Sequence, residues 1–235
     1  MFLDKKVLGI IPARGGSKGL PGKNILETNG KPLISWTIQQ ANRSQYIDKV
    51  ILSTDDKKIA EIGKKEGADI PFIRPANLAT DTAKTIDVVE HVISALSKNG
   101  ENYDVIVLLE PTSPLRKKND IDLTIEALEK GGQFDGAVTL GKFKTHPDLA
   151  KKVEGYYVIE SSLNVNQSRR QDLKELYFPF GVAYVVRTSV FRKELTFYPK
   201  KLTHHIIEDW QCYEIDDYWD WVCVEAIMEK TNECS

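Results

Sequence analysis

The residues of this sequence best suited to chemistry lie in a glycine-rich, cationic loop near the N-terminus. Between residues 5 and 26 there is no Asp or Glu, although the chain as a whole has a formal net charge of −2. Glycine lets backbone N–H groups approach phosphate oxygens, and cationic side chains supply countercharge. The loop therefore predicts a nucleoside triphosphate site, built from Gly15, Gly16, Gly19 and Gly22 with Arg14, Lys18 and Lys23.

The spacing of these glycines differs from that of two common nucleotide motifs. Six residues separate Gly15 from Gly22, and Asn24 stands where the phosphate loop G-x-x-x-x-G-K-[ST] carries its metal-binding hydroxyl. The glycines do not fit G-x-G-x-x-G either. However, the loop follows an apolar run at residues 7–11, and open α/β sheets bind ligands at the ends of such strands. The alternative is a surface loop with solvated cations.

Carboxylates near the C-terminus are candidates for a metal site. A triphosphate carries about four negative charges, so three cations leave the complex anionic and a divalent cation is expected. Magnesium suits phosphate and carboxylate oxygens. Glu214 and Asp216 are two residues apart, so an extended chain would point them to one side. The alternative is that Asp216 caps the last helix and Glu214 is simply exposed.

The elements that must position these groups alternate in type. Apolar runs predict strands and 3.6-residue periodicity predicts helices, with Asp55 or Asp56 capping the second helix and Gly67 ending it. This pattern, up to about residue 141, predicts an α/β fold with a doubly wound, mostly parallel sheet. The predicted strands are residues 7–11, 50–52, 72–73, 103–109 and 181–186, with an extended piece at 212–216. Helices are predicted from residue 31, from Asp55 or Asp56 to about residue 66, around residues 86–96, and over residues 120–130 and 217–230.

The strand at residues 103–109 is the most hydrophobic, so it should be central and covered on both faces. The glycine loop, residues 53–55 and residues 110–113 then meet at the carboxyl edge of the sheet, where they form a site. His91 falls on the polar face of its helix and is expected to be solvated. Residues 142–167 are polar, with a predicted hairpin at Glu154 and Gly155, and form an excursion from the sheet.

Composition limits the class of protein. With 235 residues the chain can form one large domain. A pI near 6.1 without long basic tracts argues against nucleic acid or a membrane surface as partner. The three cysteines lack C-x-x-C spacing, which favours a reduced, cytoplasmic environment. The first apolar run is too short for a signal sequence or a membrane span.

The sequence resembles the CMP–acylneuraminate synthetases along nearly its whole length. Residues 13–24, A-R-G-G-S-K-G-L-P-G-K-N, are similar to the signature loop of that family. Residues 79–85 (A-T-D-T-A-K-T), 110–116 (E-P-T-S-P-L-R), 169–171 (R-R-Q) and 214–216 (E-I-D) match further family motifs in the same order.

The resemblance implies a Rossmann-like nucleotidyltransferase fold over residues 1–235, with residues 142–170 as a protruding dimerisation excursion. It implies transfer of CMP from CTP to the anomeric hydroxyl of a nine-carbon (nonulosonic) sugar acid of the sialic or legionaminic type, with release of pyrophosphate. It also implies Mg²⁺ or another divalent cation as cofactor and a homodimer in the cytoplasm. His146 and Lys151 lie in the excursion, which in the family reaches the partner's sugar site.

The resemblance assigns roles to individual residues. Arg14, Lys23 and Asp216 would be catalytic, and Asp216 and Glu214 would hold the metal. The nucleotide would be bound by Arg14, Lys18, Lys23, Asn24, Arg74 and Thr85. The sugar would be bound by Glu110, Thr112, Ser113, Lys151, Arg170, Gln171, Phe197 and Tyr198. Several of these residues have simpler interpretations if the resemblance is set aside. Arg74 would then be a surface cation and Thr85 an ordinary helix residue. Arg170 would belong to a solvated helix start, and Phe197 and Tyr198 would pack in the core.

The chain departs from the family pattern at several positions. Glu110 stands where the family has Gln, Glu214 replaces the first Asp of the metal pair, Phe180 replaces Asn, and Lys84 replaces a small polar residue. A buried carboxylate accepts but does not donate hydrogen bonds, so either the sugar group that meets Glu110 is a donor or Glu110 is protonated. Glu110 points to a diamino sugar acid such as legionaminic acid. The competing hypotheses are a CMP-3-deoxy-manno-octulosonate synthetase and a non-catalytic nucleotide- or sugar-binding relative.

Overall fold

The computed structural model describes residues 2–131, 134–160 and 174–231. Among these residues the strands are β1 Val7–Pro12, β2 Glu27–Thr28, β3 Lys31–Pro32, β4 Lys49–Ser53, β5 Val105–Leu108, β6 Gly136–Lys142, β7 Lys151–Glu154, β8 Tyr157–Glu160, β9 Tyr177–Arg187 and β10 Leu202–Ile206. The helices are α1 Leu33–Arg43, α2 Lys57–Lys65, α3 Thr85–Lys98, α4 Asp120–Ala127, α5 Thr188–Glu194 and α6 Tyr218–Lys230.

Six strands form one sheet in the order β10-β6-β9-β5-β1-β4. β1 is parallel to β4 and β5, and β10 is parallel to β6. β9 is antiparallel to both of its neighbours, β5 and β6. The prediction of a mostly parallel α/β sheet is confirmed, and the hydrophobic strand β5 lies inside the sheet with every residue buried, as expected.

Helices cover both faces of the sheet, so its central strands are apolar on both sides. Val7 and Ile11 of β1 pack with α1, α2 and α4 on one face. Leu8 and Ile10 pack with α3 and α5 on the other. Because successive side chains of a strand point to opposite faces, a continuous apolar run such as that of β1 requires this two-sided cover.

Local signals fix the ends of several helices. Asp56 caps α2, because its carboxylate accepts from the backbone N–H groups of Lys58 at 2.7 Å and Ile59 at 3.0 Å. Gly67 follows that helix with φ of 87°, as the predicted stop. Asp217, not Asp216, caps α6, so the capping alternative for Asp216 is wrong and its carboxylate is available to the site.

Three predictions about local structure are wrong. Residues 72–73 form no strand, because Pro71 and Pro75 flank them and a proline cannot donate to a ladder. Residues 212–216 run beside the sheet without strand pairing. His91 is only partly exposed: its ring packs edge-on against Phe72 at 4.7 Å, and burial lowers the pKa of its imidazole, assisted by the charges of Arg74 and Lys98.

The predicted excursion contains a hairpin of β7 and β8, which pair antiparallel around a turn with Gly155 at φ of 59°. Val153 and Val158 are about 70 % exposed, at 73 % and 68 %, and Tyr157 is 76 % exposed. The hairpin thus exposes apolar side chains, with Val153 directly opposite Val158 on one face. Residues 161–173 lie outside the described residues.

No helix in the described ranges is both long enough and apolar enough to cross a bilayer.

Candidate active site

The glycine loop is held in a defined conformation at the end of β1. The backbone N–H of Gly15 donates to the Asp55 carboxylate at 3.0 Å. The side chain of Asn24 is buried and donates through Nδ2 to the carbonyl of Arg14 at 2.9 Å. A short 3₁₀ turn, Lys23–Ile25, follows Gly22 at φ of 68°. These bonds oppose the alternative of an unstructured surface loop, and they give Asn24 a role in shaping the loop.

The loop forms one wall of a cleft of about 580 Å³ at the carboxyl ends of β1 and β5. This volume falls in the usual range of small-molecule sites. The cleft also contains parts of residues 74–88, residues 110–112 and the segment before α6. It brings together ten residues predicted for the site, namely Arg14, Lys18, Lys23, Asn24, Arg74, Thr85, Glu110, Thr112, Glu214 and Asp216.

The three cations of the loop make ion pairs across the cleft. Asp81 contacts both Arg14, at 3.0 Å, and Lys18, at 2.7 Å. Lys23 contacts the carboxylate of Asp216 at 3.1 Å and donates to the carbonyl of Ile215 at 2.6 Å. Hydrogen bonding to Lys18 holds the pKa of Asp81 below its usual value. The cations therefore face the cleft and are not splayed away from it.

Glu214 and Asp216 are placed differently although both line the cleft. One oxygen of Glu214, Oε1, accepts from Ser113 Oγ and from the backbone N–H of Gly181, both at 2.6 Å. The Asp216 side chain is 82 % exposed. The glycine loop approaches this segment closely, since a Cβ at Gly19 would collide with the carbonyl oxygen of Asp216. Gly19 is thus required for contact between the two walls.

Glu110 is a largely buried carboxyl group at the end of β5. Burial raises its pKa to about 7, and the charges of Glu214 and Asp216 act in the same direction, whereas Arg116 and Lys23 oppose them. A carboxyl group with this pKa is present in both protonation states near neutral pH. Glu110 can therefore donate or accept a hydrogen bond, depending on pH.

Arg74 is buried, 5 % exposed, so the hypothesis of a surface cation is wrong. Its guanidinium donates to Ser53, through Nε to the hydroxyl at 3.1 Å and through Nη2 to the carbonyl. Burial lowers its pKa to about 10, which leaves it cationic at neutral pH. Thr85 is the exposed first residue of α3 and borders the same part of the cleft.

Three further residues predicted to bind the sugar, Phe197, Tyr198 and Lys151, are not among the residues that line the cleft. Phe197 is buried, 5 % exposed, and its ring packs against Phe191 at 5.2 Å in the core below α3. Tyr198 is 53 % exposed and lies 6.1 Å from the ring of Tyr184. Lys151 is the first residue of β7, in the hairpin. Arg170 and Gln171 lie outside the described residues.

The structure adds residues that the sequence analysis did not assign to the site. Asp81, Arg116 and Tyr184 surround the predicted residues, and the charge of Glu110 contributes to a raised pKa of Tyr184, whose main cause is burial. Two of them had a signal in the sequence. Asp81 is the one acid in residues 79–85, and Arg116 ends residues 110–116.

A doubly wound α/β sheet with a cationic glycine loop at its carboxyl edge defines the class of nucleotide-binding α/β proteins. The sequence profile of the cytidylyltransferase family matches residues 8–213, and the chain belongs to that family.

Individual relatives are similar over most of the chain. A CMP-N,N'-diacetyllegionaminic acid synthase of Legionella pneumophila is 32 % identical, over 97 % of this chain and 98 % of the relative. A pseudaminic acid cytidylyltransferase of Campylobacter jejuni is 37 % identical, over 80 % of this chain and 82 % of the relative. An N-acylneuraminate cytidylyltransferase of Escherichia coli is 28 % identical over 97 % of this chain, which spans 53 % of that relative's length.

Among solved structures, a CMP:2-keto-3-deoxy-manno-octonic acid synthetase complexed with CTP has a TM-score of 0.70. It covers 96 % of this chain and 99 % of its own, at 18 % sequence identity. The two chains therefore share a fold. The named sequence relatives are cytidylyltransferases or CMP-sugar acid synthases, which are nucleotidyltransferase enzymes.

Proposed function

We propose that this protein transfers CMP from CTP to the anomeric hydroxyl of a nonulosonic acid and releases pyrophosphate. One observation carries the proposal: Arg14, Lys18 and Lys23 line a single cleft together with Glu214 and Asp216. Cations on one wall suit a triphosphate, and carboxylates on the other suit the divalent cation that accompanies it. Because the chain belongs to the cytidylyltransferase family, the base of the nucleotide is expected to be cytosine.

In this reaction the acceptor oxygen forms a bond to the α-phosphorus, and the bond from that phosphorus to the bridging oxygen of pyrophosphate breaks. The protein's part is positioning and charge neutralisation. When the triphosphate binds, its phosphate oxygens replace the carboxylate of Asp81 as the ion-pair partner of Arg14 and Lys18. Lys23 donates to the carbonyl of Ile215 at 2.6 Å and contacts Asp216 at 3.1 Å, and from this position its ammonium group would neutralise phosphate charge. Arg74 and Thr85 then border the nucleoside.

A divalent cation fits the carboxylates that the structure provides. No group of three or more potential metal-ligating His, Cys, Asp or Glu side chains occurs within the described ranges. Glu214 and Asp216 both line the cleft, and Mg²⁺ commonly takes one or two carboxylates and completes its shell with water and substrate phosphates. When bound, the cation would neutralise phosphate charge and polarise the reacting phosphoryl group.

The acceptor is proposed to be a nonulosonic acid and not an octulosonic acid. The names of the sequence relatives from Legionella, Campylobacter and Escherichia include legionaminic acid, pseudaminic acid and N-acylneuraminate. The octonic acid synthetase is related at 18 % identity, which supports the fold alone. Glu110 lines the cleft beside Thr112, and its ionised form favours an acceptor with a hydrogen-bond donor at this position, such as an N-acyl amide of a diamino sugar acid.

A homodimer is proposed from the exposed hairpin. Val153 and Val158 are 73 % and 68 % exposed and lie directly opposite each other on the two strands, and exposed apolar side chains that are grouped in this way mark interaction sites. A second copy of the chain is the proposed occupant of this surface, because residues 142–170 resemble the family's dimerisation excursion.

A cytoplasmic location is proposed from the thiols of Cys212 and Cys223, which are both free.

The test is an assay of pyrophosphate release with CTP, Mg²⁺ and a panel of sialic, legionaminic, pseudaminic and 3-deoxy-manno-octulosonic acids, with the CMP-sugar identified by mass. We expect product with at least one nonulosonic acid. Asp216→Asn should abolish turnover and leave the unfolding temperature unchanged, whereas Asp209→Asn, at an exposed acid outside the cleft, should leave turnover unchanged. Absence of product with every acid would refute the proposal.

A further inference from the structure

Arg116 is a buried cation at the base of the cleft. Its side chain is among the largest that are almost completely buried, at 1 % exposure. A guanidinium has five N–H donors in a planar fork, and Arg116 makes five hydrogen bonds with distances from 2.8 to 3.0 Å. Burial of a charge is costly unless it is fully hydrogen-bonded, and here this condition is met.

The acceptors of Arg116 come from three separate elements. Nη2 donates to the carbonyl of Glu110 at 2.8 Å and to that of Gly181 at 3.0 Å. Nε donates to the carbonyl of Val182 at 2.8 Å. Nη1 donates to Thr37 Oγ1 at 2.9 Å and to Gln40 Oε1 at 3.0 Å. Arg116 thus joins the end of β5, the middle of β9 and the helix α1.

The backbone that Arg116 holds also orients a cleft carboxylate. The N–H of Gly181 donates to Glu214 Oε1 at 2.6 Å, and the same oxygen accepts from Ser113 Oγ. The N–H of Glu110 donates to the carbonyl of Gly181 at 3.1 Å. A Cβ at Gly181 would collide with the carboxylate of Glu110. A shift of the Gly181 backbone would therefore move both acids.

We propose that Arg116 is a positioning residue that fixes the carboxylates of Glu110 and Glu214 relative to the glycine-loop wall. Its role in catalysis rests on the proposed cytidylyl transfer. Arg116 acts through the Glu110–Gly181 backbone. Its effect falls on the acceptor and metal side of the cleft, because Arg14, Lys18 and Lys23 belong to a loop that Arg116 does not contact through any of these five bonds.

The geometry requires arginine and not only a positive charge. A lysine ammonium has three donors at one point and cannot span acceptors on β5, β9 and α1 together. Arg116→Lys keeps the charge and removes the fork. Thr37→Val removes one acceptor of Nη1 and leaves Gln40. Ser35→Ala is a matched control on the same helix, since Ser35 is buried and its hydroxyl has no hydrogen-bond partner among the described residues.

The experiment compares wild type, Arg116→Lys, Thr37→Val and Ser35→Ala by three measurements. These are steady-state turnover with CTP and the accepted sugar acid, CTP affinity by calorimetry without metal, and Mn²⁺ affinity by the electron paramagnetic resonance of free Mn²⁺ in the presence of CTP. Unfolding temperatures identify variants that do not fold.

For Arg116→Lys we expect kcat to fall about tenfold to hundredfold, as for a misplaced catalytic geometry. Mn²⁺ affinity should fall with it, while metal-free CTP affinity should stay within about twofold, since the loop cations keep their places. Thr37→Val should lower kcat about two- to fivefold, the range for one lost hydrogen bond. Ser35→Ala should match wild type.

A folded Arg116→Lys variant with unchanged kcat and Mn²⁺ affinity would overturn the proposal. Equal losses of CTP and Mn²⁺ affinity would also overturn it, because they would indicate a general structural role. If Arg116→Lys does not fold, the difference between Thr37→Val and Ser35→Ala decides. If wild type forms no CMP-sugar, the proposed function fails, and Mn²⁺ affinity still tests whether Arg116 positions Glu214.

Discussion

The buried carboxyl group of Glu110 should make the stability of this protein depend on pH. Glu110 lies at the end of β5, where burial and the charges of Glu214 and Asp216 raise its pKa from 4.5 to about 7. Glu110→Gln replaces the carboxyl group by an isosteric amide that does not ionise. The substitution therefore removes the pH-dependent cost of burying a charge and leaves the packing of the side chain nearly unchanged.

The sign and size follow from linkage between proton binding and folding. The unfolded chain loses the Glu110 proton near pH 4.5 and the folded chain near pH 7, so stability falls as pH rises between these values. At about 1.4 kcal/mol for each unit of pKa difference, the full cost above pH 7 is about 3 kcal/mol. About 2 kcal/mol of this cost develops between pH 5.5 and pH 8.5.

The assay is urea unfolding of wild type and Glu110→Gln in EDTA, without nucleotide, at intervals from pH 5.5 to pH 8.5. We expect the free energy of unfolding of the variant to exceed that of wild type by an amount that grows with pH by about 2 kcal/mol. Glu61→Gln, at an exposed position of α2, is the control and should give a constant difference. A constant difference for Glu110→Gln as well would refute the argument from burial.

Two further predictions concern the cleft cations and the hairpin. Asp81 pairs with Arg14 and Lys18, which are the proposed phosphate-binding cations. Asp81→Asn should therefore lower the CTP concentration for half-maximal rate about two- to fivefold, the range for exposed ion pairs. Asp87→Asn, at an exposed acid of α3, should have no effect, and weaker CTP binding in Asp81→Asn would contradict this expectation. Val158→Glu should disrupt the proposed dimer, so that light scattering detects a species of 26.6 kDa. A wild-type protein that is itself monomeric would exclude the dimer.

Much of the fold could be predicted from the sequence because local signals and long-range packing agree. The apolar runs of β1, β4 and β5 mark buried strands, and Gly67 marks the end of a helix. Strand β10 was missed because Leu202–Ile206 contains two histidines and lies at the edge of the sheet, where an apolar run is not needed. The hairpin of β2 and β3 is only two residues long on each side, too short for a periodicity.

Part of the site could be predicted because its residues are close in sequence or at strand ends. The glycine loop is one stretch, and strand order brings Glu110 beside it. The burial of Arg116 could not be predicted, because its acceptors on α1, β5 and β9 are up to 79 residues distant in the chain. The environment of His91 could not be predicted, because helical periodicity shows only on which face of α3 a residue lies. It does not show that Phe72, on a neighbouring loop, packs against that face.

The cations around the cleft divide into two groups according to what holds them. Arg74 and Arg116 are buried and donate to backbone and side-chain oxygens of the sheet edge and α1, so they form a fixed frame. Arg14, Lys18 and Lys23 pair with the carboxylates of Asp81 and Asp216, which are 43 % and 82 % exposed.

Pairs of the second kind contribute little to stability and are screened by salt. They are therefore exchangeable, and phosphate oxygens with greater charge can replace the carboxylates without disturbing the fold. In the proposed function, nucleotide binding replaces the ion pairs with Asp81 and Asp216 by ion pairs with phosphate. The buried Arg74 and Arg116 meanwhile hold the backbone on both sides of the cleft in place. Because the pairs that the nucleotide would replace face solvent and contribute little to stability, added salt should weaken CTP binding far more than it changes the free energy of unfolding.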